Sequence, residues 1–529
     1  MLFTSYSFIL FLCVLISLYY LIPKRLQWKL LLLGSFVFYF FSGWSNLLYI
    51  LATIVSTYFI GLKIDELNRK QADYLKENKE KLTKEEKKLY KEKIKAKQWS
   101  WLLACLFFNL GILAVVKYTN FAIANINSVL SIFRMTELSF VNIILPMGIS
   151  FYTFKTMGYI IDVYRGKYEP ERNIGKLALF VSFFPQLVQG PISRYDDLAQ
   201  TLYQEHSFEP KTFSFGFQRV LWGYFKKLVI ADRIVAAVLT ITRNPEKYDG
   251  IYVLVGMVFY AIQLYADFTG GIDITIGVSQ MLGIEVKENF IRPYFSKSIE
   301  EYWRRWHITM GTWFRDYIFY PLSVCKPMLN LSRFSRNHFG DKIGKRIPVY
   351  TATLVVWFTT GIWHGSSWNF IVWGLLNGII ILISQELQPL YEKFHQKVKI
   401  GDTFGFRLFR IGRTFLLMSS LRILDCYRDV GISFKMFFSM FAKPDLKPLI
   451  DGSLLKLGLD MADYIVLIAG VILLVSFSLI QRKGSVREML SAKPAVLRYS
   501  IYIVLFFTVL VFGAYGIGFD SNQFIYNQF

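Results

Sequence analysis

The stretch VVWFTTGIWHGSSWNFIVWGLL, residues 355–376, is apolar enough to lie within a membrane, yet it carries one ionisable side chain, that of His364. An ionisable group at membrane depth is costly, and it marks a functional site by default. The alternative is a structural histidine that hydrogen-bonds a neighbouring helix, and this stretch alone does not separate the two. It predicts membrane helices around a candidate functional histidine.

A second histidine precedes it in an aromatic, arginine-rich segment. Residues 301–307 read EYWRRWH, so that Trp303, Arg304 and Arg305 come directly before His307 in this segment. The chain has five histidines, and these two fall in its two most tryptophan-dense stretches. The coincidence favours a functional interpretation of both histidines.

Composition places the whole chain in a membrane. Of its 529 residues, 54% are hydrophobic and 18% aromatic, and apolar runs of about twenty residues recur between lysines and arginines. The net charge of +22 lies mainly in the loops between these runs, which indicates cytoplasmic loops and not a nucleic-acid-binding protein. We predict an all-α polytopic protein with roughly ten to twelve transmembrane helices and additional re-entrant helices.

The distribution of charge and hydrophobicity predicts five segments. These are N-terminal transmembrane helices (1–62), a charged cytoplasmic helical loop (63–98), a transmembrane helix and connection (99–139), a catalytic core (140–390) and C-terminal transmembrane helices (391–529). The alternating charges of the second segment are typical of a solvated helical hairpin. The basic loops predict a protein of the cytoplasmic membrane with both termini extracytoplasmic. They place His364 in a hairpin whose tip points to the outer face of the membrane.

Two stretches of the predicted core contain unusual residues for a membrane helix. Leu177–Gly190 contains Pro185 and is followed by PISR (191–194), which predicts a broken or re-entrant element. Tyr252–Leu282 carries Asp267 and Asp273, which must be either paired or functional at this depth. The adjacent Gly270 and Gly271 predict a helix break between the two acids.

Metal and disulfide chemistry is not indicated. The four cysteines are scattered without a C-x-x-C pair, and neither histidine has a second ligand three or four residues away. No G-x-S-x-G sequence surrounds Ser366 or Ser367, so serine catalysis lacks support. We predict no metal and no resident cofactor.

A buried histidine can act as a general base near neutral pH. It would remove a proton from a hydroxyl group, whose oxygen then attacks an acyl thioester. Arg304 and Arg305 would suit a phosphorylated donor such as a coenzyme A, although arginines at this position also anchor lipid headgroups.

Several segments resemble the membrane-bound O-acyltransferase (MBOAT) family, in particular its bacterial branch of alginate O-acetyltransferase membrane subunits. The resemblance is close over about 140–390, and its motifs are 183–198 (FFPQLVQGPISRYDDL), 260–294, 298–322 (containing WRRWH) and 360–378 (containing WHG). The terminal GFDSNQFIYNQF (518–529) is also similar. By contrast, SSLRILDCYRD (419–429) stands where relatives have W-x-F-F-R-A.

The resemblance implies an MBOAT fold with a central tunnel, a catalytic role for His364 and a second important role for His307. The matching segments also supply candidate donor-binding or tunnel residues: Trp303, Arg304, Arg305, Asp316, Trp363, Gln189, Arg194 and Asp267. The implied donor substrate is acetyl-CoA or another acyl thioester that enters from the cytoplasm.

Three functions are compatible with these features. The favoured one is acetyl transfer to an exported cell-surface polysaccharide, together with an extracytoplasmic partner that resembles an SGNH hydrolase. The second is D-alanyl transfer from a carrier protein to teichoic acid. The third is a proton-coupled transporter or flippase, in which Asp267, Asp273 and His364 relay protons; the lack of an internal repeat argues against it.

Overall fold

The computed structural model describes residues 2–398 and 403–515, and within these ranges the regular structure is helical with no strand. The chain divides into two compact units, Met1–Phe213 with Val278–Val286, and Ser214–Gly277 with Lys287–Phe529. The terminal motif 518–529 lies outside the described residues.

The helices of the first part of the chain precede residue 210. They are α1 (Tyr6–Leu21), α2 (Gln27–Phe40), α3 (Asn46–Glu77), α4 (Lys84–Ile132), α5 (Ile149–Tyr164), α6 (Ile174–Ser182), α7 (Pro185–Val188) and α8 (Tyr195–Leu202).

The remaining helices include π-helical turns at Phe225–Ala231 and Arg315–Phe319. They are α9 (Pro210–Tyr224), α10 (Asp232–Thr242), α11 (Ile251–Met281), α12 (Ile299–Arg305), α13 (Ile308–Phe314), α14 (Tyr320–Ser323), α15 (Lys326–Gly344), α16 (Ile347–His364), α17 (Trp368–Glu386), α18 (Gln388–Val398), α19 (Phe404–Leu421), α20 (Ile423–Tyr427), α21 (Val430–Ala442), α22 (Met461–Ile480), α23 (Val486–Ser491) and α24 (Ala495–Phe512).

Six helices in the described ranges are long and apolar enough to cross a membrane: α3, α4, α11, α17, α22 and α24. Helices α1 and α21 are apolar but shorter. Many large apolar side chains on these helices are exposed in the isolated chain, as expected for surfaces that face lipid. The predicted all-α polytopic membrane class is confirmed.

The charged segment 63–98 forms the hairpin predicted from its alternating charges, but it is built from the ends of two long helices. Helix α3 continues through the charged residues to Glu77, and α4 begins at Lys84 and runs on for 49 residues. A capping box between Thr83 and Glu86 starts α4. Gln98 on α4 donates a hydrogen bond to Asn68 on α3 at 2.6 Å.

The helix break predicted at Gly270 and Gly271 is wrong, because α11 runs without interruption through both residues. A Cβ atom on Gly270 would lie 2.9 Å from the carbonyl oxygen of Gly223 on α9. A second contact lies seven residues away along each helix. There, a Cβ atom on Gly277 would lie 2.7 Å from the carbonyl oxygen of Gly216. These glycines therefore permit α9 and α11 to approach closely, as small residues do between membrane helices.

Helices α16 and α17 pack into a tight antiparallel hairpin around Gly365–Ser367. A Cβ atom on Gly361 would lie 2.5 Å from the carbonyl oxygen of Phe370, and Gly374 is in similarly close contact with Trp357. Since the backbones touch, a larger residue at either position would separate the helices. The hairpin sets the position of His364, the last residue of α16.

We expect Gly361→Ala to lower the thermal unfolding midpoint of the detergent-solubilised protein. The added methyl group meets a backbone carbonyl that cannot rotate away, and overpacking of this kind costs about 1–3 kcal/mol. The matched control is Gly412→Ala on α19, where a Cβ atom would meet nothing within 4 Å. Equal midpoints for the two variants would contradict the tight packing of this hairpin.

Candidate active site

His364 lies in an aromatic pocket at the end of α16. Its side chain is buried, with the residue 7% exposed. The imidazole packs edge-on against the indole of Trp373, with ring centroids 4.7 Å apart, and lies 5.0 Å from that of Trp363. The surroundings exclude bulk water, which strengthens any electrostatic interaction at this group.

His307 occupies the junction between α12 and α13 and is fully buried. Its backbone is in the left-handed region, with φ of 47°, which is uncommon for a residue other than glycine. Non-glycine residues are held in this region where the surrounding structure imposes it, and such positions cluster at functional sites. The ring of Phe268 packs edge-on against the imidazole at 5.1 Å.

Asn289 holds His307 in a defined orientation. Its Oδ1 accepts hydrogen bonds from the backbone N–H and the hydroxyl of Thr309, at 3.0 and 2.9 Å. Because the backbone N–H can only donate, the amide group of Asn289 must face His307, and Nδ2 lies 3.3 Å from Nδ1 of the imidazole. We assign the tautomer in which Nδ1 accepts, and in that tautomer the neutral ring carries its proton on Nε2. Sequence analysis did not single out Asn289, since nothing in its local pattern distinguishes it from any other loop asparagine.

Both histidines lie close to one indole, that of Trp363. The ring centroid of Trp363 is 5.9 Å from that of His307 and 5.0 Å from that of His364. Segments that are far apart in sequence therefore contribute to one site in the second unit. The candidate residue Trp363 connects its two imidazoles.

The other candidates in the WRRWH segment differ in their surroundings. Trp303 is half-buried and packs against Trp357 and Trp373, at 4.7 and 5.8 Å. Arg304 is 67% exposed and pairs with a carboxylate one turn earlier, that of Glu300. Arg305 likewise pairs with Glu301, at 2.6 Å. The structure thus brings Trp303 into the aromatic cluster and directs the two arginines to acidic side chains of their own helix.

The acidic candidates are engaged by cations. Asp316 accepts a hydrogen bond from Arg315 at 2.9 Å. Asp267 is buried and pairs with Lys227 at 2.7 Å.

Asp273 pairs with Lys226 at 2.6 Å and with Arg219 at 2.8 Å. Of the two roles that the sequence left open for Asp267 and Asp273, the structure shows pairing, which joins α11 to α9 and the π-helical turn.

Gln189 and Arg194 belong to the first unit. Helices α6 and α7 are short and separate, and the backbone is extended at Gln189, so the predicted broken element is confirmed. Gln189 is fully buried, and Arg194 is the residue before the first turn of α8. Nearby, Gln186 donates to the hydroxyl of Ser193 at 2.7 Å.

A cavity of about 540 Å³ opens at the start of α17, four residues after His364. Its lining consists of Trp368, Asn369, Val372, Arg428, Asp429 and Val430. Asn369 is fixed by hydrogen bonds, accepting from the hydroxyl of Ser367 at 2.5 Å and donating to the carbonyl of Leu424 at 3.1 Å. An exposed indole beside charged and amide groups suits a polar ligand with apolar faces, such as a sugar.

Possible metal ligands are dispersed. Across residues 2–398 and 403–515, no three histidine, cysteine, aspartate or glutamate side chains form a group that could hold a metal ion.

Comparison with known proteins places the site in a family. The sequence model of MBOAT, the membrane-bound O-acyltransferase family, matches residues 171–420, which include both histidines. The chain is 32% identical over 449 residues to "Probable alginate O-acetylase AlgI" of Pseudomonas syringae pv. tomato, covering 84% of this chain and 76% of that protein. It is 28% identical over 391 residues to the peptidoglycan O-acetyltransferase of Helicobacter pylori (69% and 66% covered) and 27% identical over 267 residues to the teichoic acid D-alanyltransferase of Bacillus subtilis (49% and 62% covered). The chain therefore belongs to the membrane-bound O-acyltransferase family and is a multi-pass membrane acyltransferase.

Proposed function

We propose that this protein moves an acetyl group from acetyl-CoA on the cytoplasmic side to an exported cell-surface polysaccharide, with His364 as general base. The observation that carries the proposal is the burial of His364 in an aromatic pocket beside His307, directly before a cavity suited to a sugar. In this arrangement the family's tunnel joins a cytoplasmic donor entrance to an outer acceptor entrance. The protein lies in the cytoplasmic membrane with both termini extracytoplasmic.

The reaction needs one base and one site for developing charge. His364 takes the proton of the acceptor hydroxyl as its oxygen attacks the thioester carbonyl carbon. The carbon–sulfur bond breaks, and the imidazolium returns the proton to the departing thiolate, so that an ester and a free thiol result. General base catalysis contributes about 10²–10⁴-fold, and the aligned approach of the two substrates supplies much of the remainder.

In this mechanism, His307 donates a hydrogen bond to the developing oxyanion. With Nδ1 accepting from Asn289, the neutral imidazole has an N–H donor at Nε2. A preorganised donor in a site without bulk water stabilises negative charge on the carbonyl oxygen in the transition state. The two histidines therefore have different tasks, one as a base and the other as a hydrogen-bond donor.

The acetyl donor is favoured over a D-alanyl carrier by the extent of similarity. The O-acetylating relatives align over 84% and 69% of this chain, whereas the D-alanyltransferase aligns over 49%. An extracytoplasmic partner similar to SGNH hydrolases would complete the transfer to the polymer. The transporter hypothesis is not retained, because the family consists of acyltransferases.

The donor is tested with the full-length protein purified in detergent. We expect acetyl-CoA labelled in the acetyl group to release free coenzyme A thiol and labelled product, and a D-alanylated carrier protein to release nothing. Turnover of the D-alanyl carrier but not of acetyl-CoA would replace the proposed donor. Turnover of neither thioester, even in membranes that contain the other envelope proteins, would contradict the proposal.

The cavity beside Trp368 predicts a selective effect on the acceptor. We expect Trp368→Ala to lower the ester-linked acetyl content of the cell-surface polymer about 2- to 10-fold, since one aromatic contact is worth roughly 0.5–1.5 kcal/mol. Cleavage of acetyl-CoA by the purified variant should stay at the wild-type rate. Trp44→Ala is the matched control, because Trp44 is also an exposed indole, 69% against 56% for Trp368, on another part of the chain. Unchanged polymer acetylation in Trp368→Ala would remove the cavity from the acceptor path.

A further inference from the structure

We infer that Arg422 is a positioning residue for both histidines, through the indole rings of Trp306 and Trp373. This inference rests on the proposed function, because Arg422 can have a positioning role in catalysis only if His364 is the base. Residue 422 lies in SSLRILDCYRD (419–429), the segment that the sequence analysis found to differ from the family pattern.

Arg422 is a buried cation, and among the described residues Asp425 is the carboxylate that pairs with it. Arg422 directly follows α19, and its side chain is 6% exposed. Its Nη1 donates to Oδ2 of Asp425, on the short helix α20, at 2.7 Å, and that carboxylate is 1% exposed. Burying two charges is expensive even when they are paired. Apolar side chains would fill the same space at lower cost, which suggests that the guanidinium has a further task.

The faces of three indoles surround this guanidinium. Its central carbon lies 4.6 Å from the ring centroid of Trp373, 5.6 Å from that of Trp306 and 6.0 Å from that of Trp303. Arginine is the cation best suited to such stacking because its charged group is planar and weakly hydrated. Cation–π attraction is strongest when water is excluded, as it is here. One side chain therefore holds together indoles from α12, from the turn that follows it and from α17.

Each of two indoles leads directly to one histidine. Trp373 packs edge-on against His364, so its ring lies against both the imidazole and the guanidinium. Trp306 is the residue before His307 in the chain. Its ring packs against Phe290 and Phe268, at 5.0 and 6.2 Å, and both phenylalanines contact the imidazole of His307.

Several buried polar atoms around the guanidinium make no hydrogen bond within the described residues. Nε of Arg422, Oδ1 of Asp425 and the indole nitrogens of Trp303 and Trp373 are buried and have no hydrogen-bond partner among the described residues. Buried polar atoms without a hydrogen-bond partner are few in native structures, and four of them lie around this one guanidinium. Their concentration beside the two histidines is consistent with a chamber whose polar groups are completed by solvent or substrate.

The test separates positioning from stability. Arg422→Lys keeps the charge but loses the planar stacking group. The double substitution Arg422→Met and Asp425→Leu removes both buried charges with little change in volume, which commonly preserves stability. We expect both variants to lose at least about tenfold in kcat for acetyl-CoA turnover, because loss of ring alignment raises the barrier. The KM for acetyl-CoA should stay within about twofold of wild type, since the substitutions do not change how the ground state of acetyl-CoA binds.

The control is another arginine–aspartate pair in the same unit, with a buried arginine and a carboxylate that is 20% exposed. Arg233 pairs with Asp463 and donates to the carbonyl of Phe512, so the contacts of this pair are to helices α22 and α24. Arg233→Met with Asp463→Leu should leave kcat within about twofold of wild type. A wild-type kcat in the Arg422/Asp425 double variant would overturn the inference.

A second readout does not depend on turnover. With histidine labelled at Cε1, the protein has five imidazole signals, and the Arg422/Asp425 double variant should shift or broaden those of His307 and His364 only. The signals of the other histidines should stay in place: His206, His338 and His395. If no histidine signal moves, the inference fails whatever the activity. If the signals move but wild-type protein cleaves no thioester, the proposed function fails and the positioning contact stands.

Discussion

Cells that carry His364→Ala in place of the wild-type protein are expected to have background levels of ester-linked acetyl on their surface polymer. The substitution removes the group that deprotonates the acceptor, and loss of a general base costs about 10²–10⁴-fold in rate. It removes the contact of the imidazole with Trp373, but the close backbone contacts between α16 and α17 at Gly361 and Gly374 remain, so we expect the hairpin to stay folded. The measurements are the acetyl content of the polymer and the amount of protein in the membrane.

His338→Ala is the matched control. His338 lies on α15 and is exposed, and its Nδ1 donates to the carbonyl of Phe334 on the same helix, at 2.9 Å. Its replacement should leave acetylation at the wild-type level. Wild-type acetylation in His364→Ala, at equal protein abundance, would show that this imidazole is not the base.

His307→Ala is expected to lower the rate of acetyl-CoA cleavage severely but incompletely. Removal of one preorganised donor to an oxyanion costs about 10²–10³-fold in kcat, while His364 keeps its place against Trp373. The measurement is the steady-state rate of thiol release by the purified variant. An unchanged rate would reduce His307 to a packing role.

Asn289→Asp examines the same donor without removing the imidazole. The carboxylate can still accept from the backbone and hydroxyl of Thr309, as the native Oδ1 does. It replaces the amide donor by an acceptor, however, so that Nδ1 of His307 donates to it, and a neutral ring then has no proton on Nε2. We expect a loss of activity comparable to that of His307→Ala. Wild-type activity in this variant would contradict the assigned tautomer.

The sequence predicted those features that depend on hydrophobicity along one helix. The long apolar helices, the charged hairpin of α3 and α4 and the broken element around Gln189 all follow from local composition and proline content. The motif segments also pointed to the histidine-bearing part of the fold, and the family model covers both histidines. These signals are local and therefore visible in one sequence.

Features that depend on contacts between distant segments could not be predicted in the same way. Gly270 has a low helix propensity, but its effect here is to allow the backbone of Gly223 to approach, which the local sequence does not reveal. Asn289 orients a histidine 18 residues later in the chain. Arg422 and Trp373 meet only in the folded structure. In each case the decisive partner lies outside the local pattern.

The central claim is histidine-dependent transfer from a thioester, and one measurement addresses it directly. Full-length wild-type protein and His364→Ala are reconstituted separately into vesicles with the other envelope proteins of the cell, and both receive acetyl-CoA labelled in the acetyl group. We predict rapid loss of label from coenzyme A and its appearance as an ester with the wild-type protein, and no loss above the protein-free background with the variant. Equal loss of label with both proteins, or no loss with either, would contradict the account.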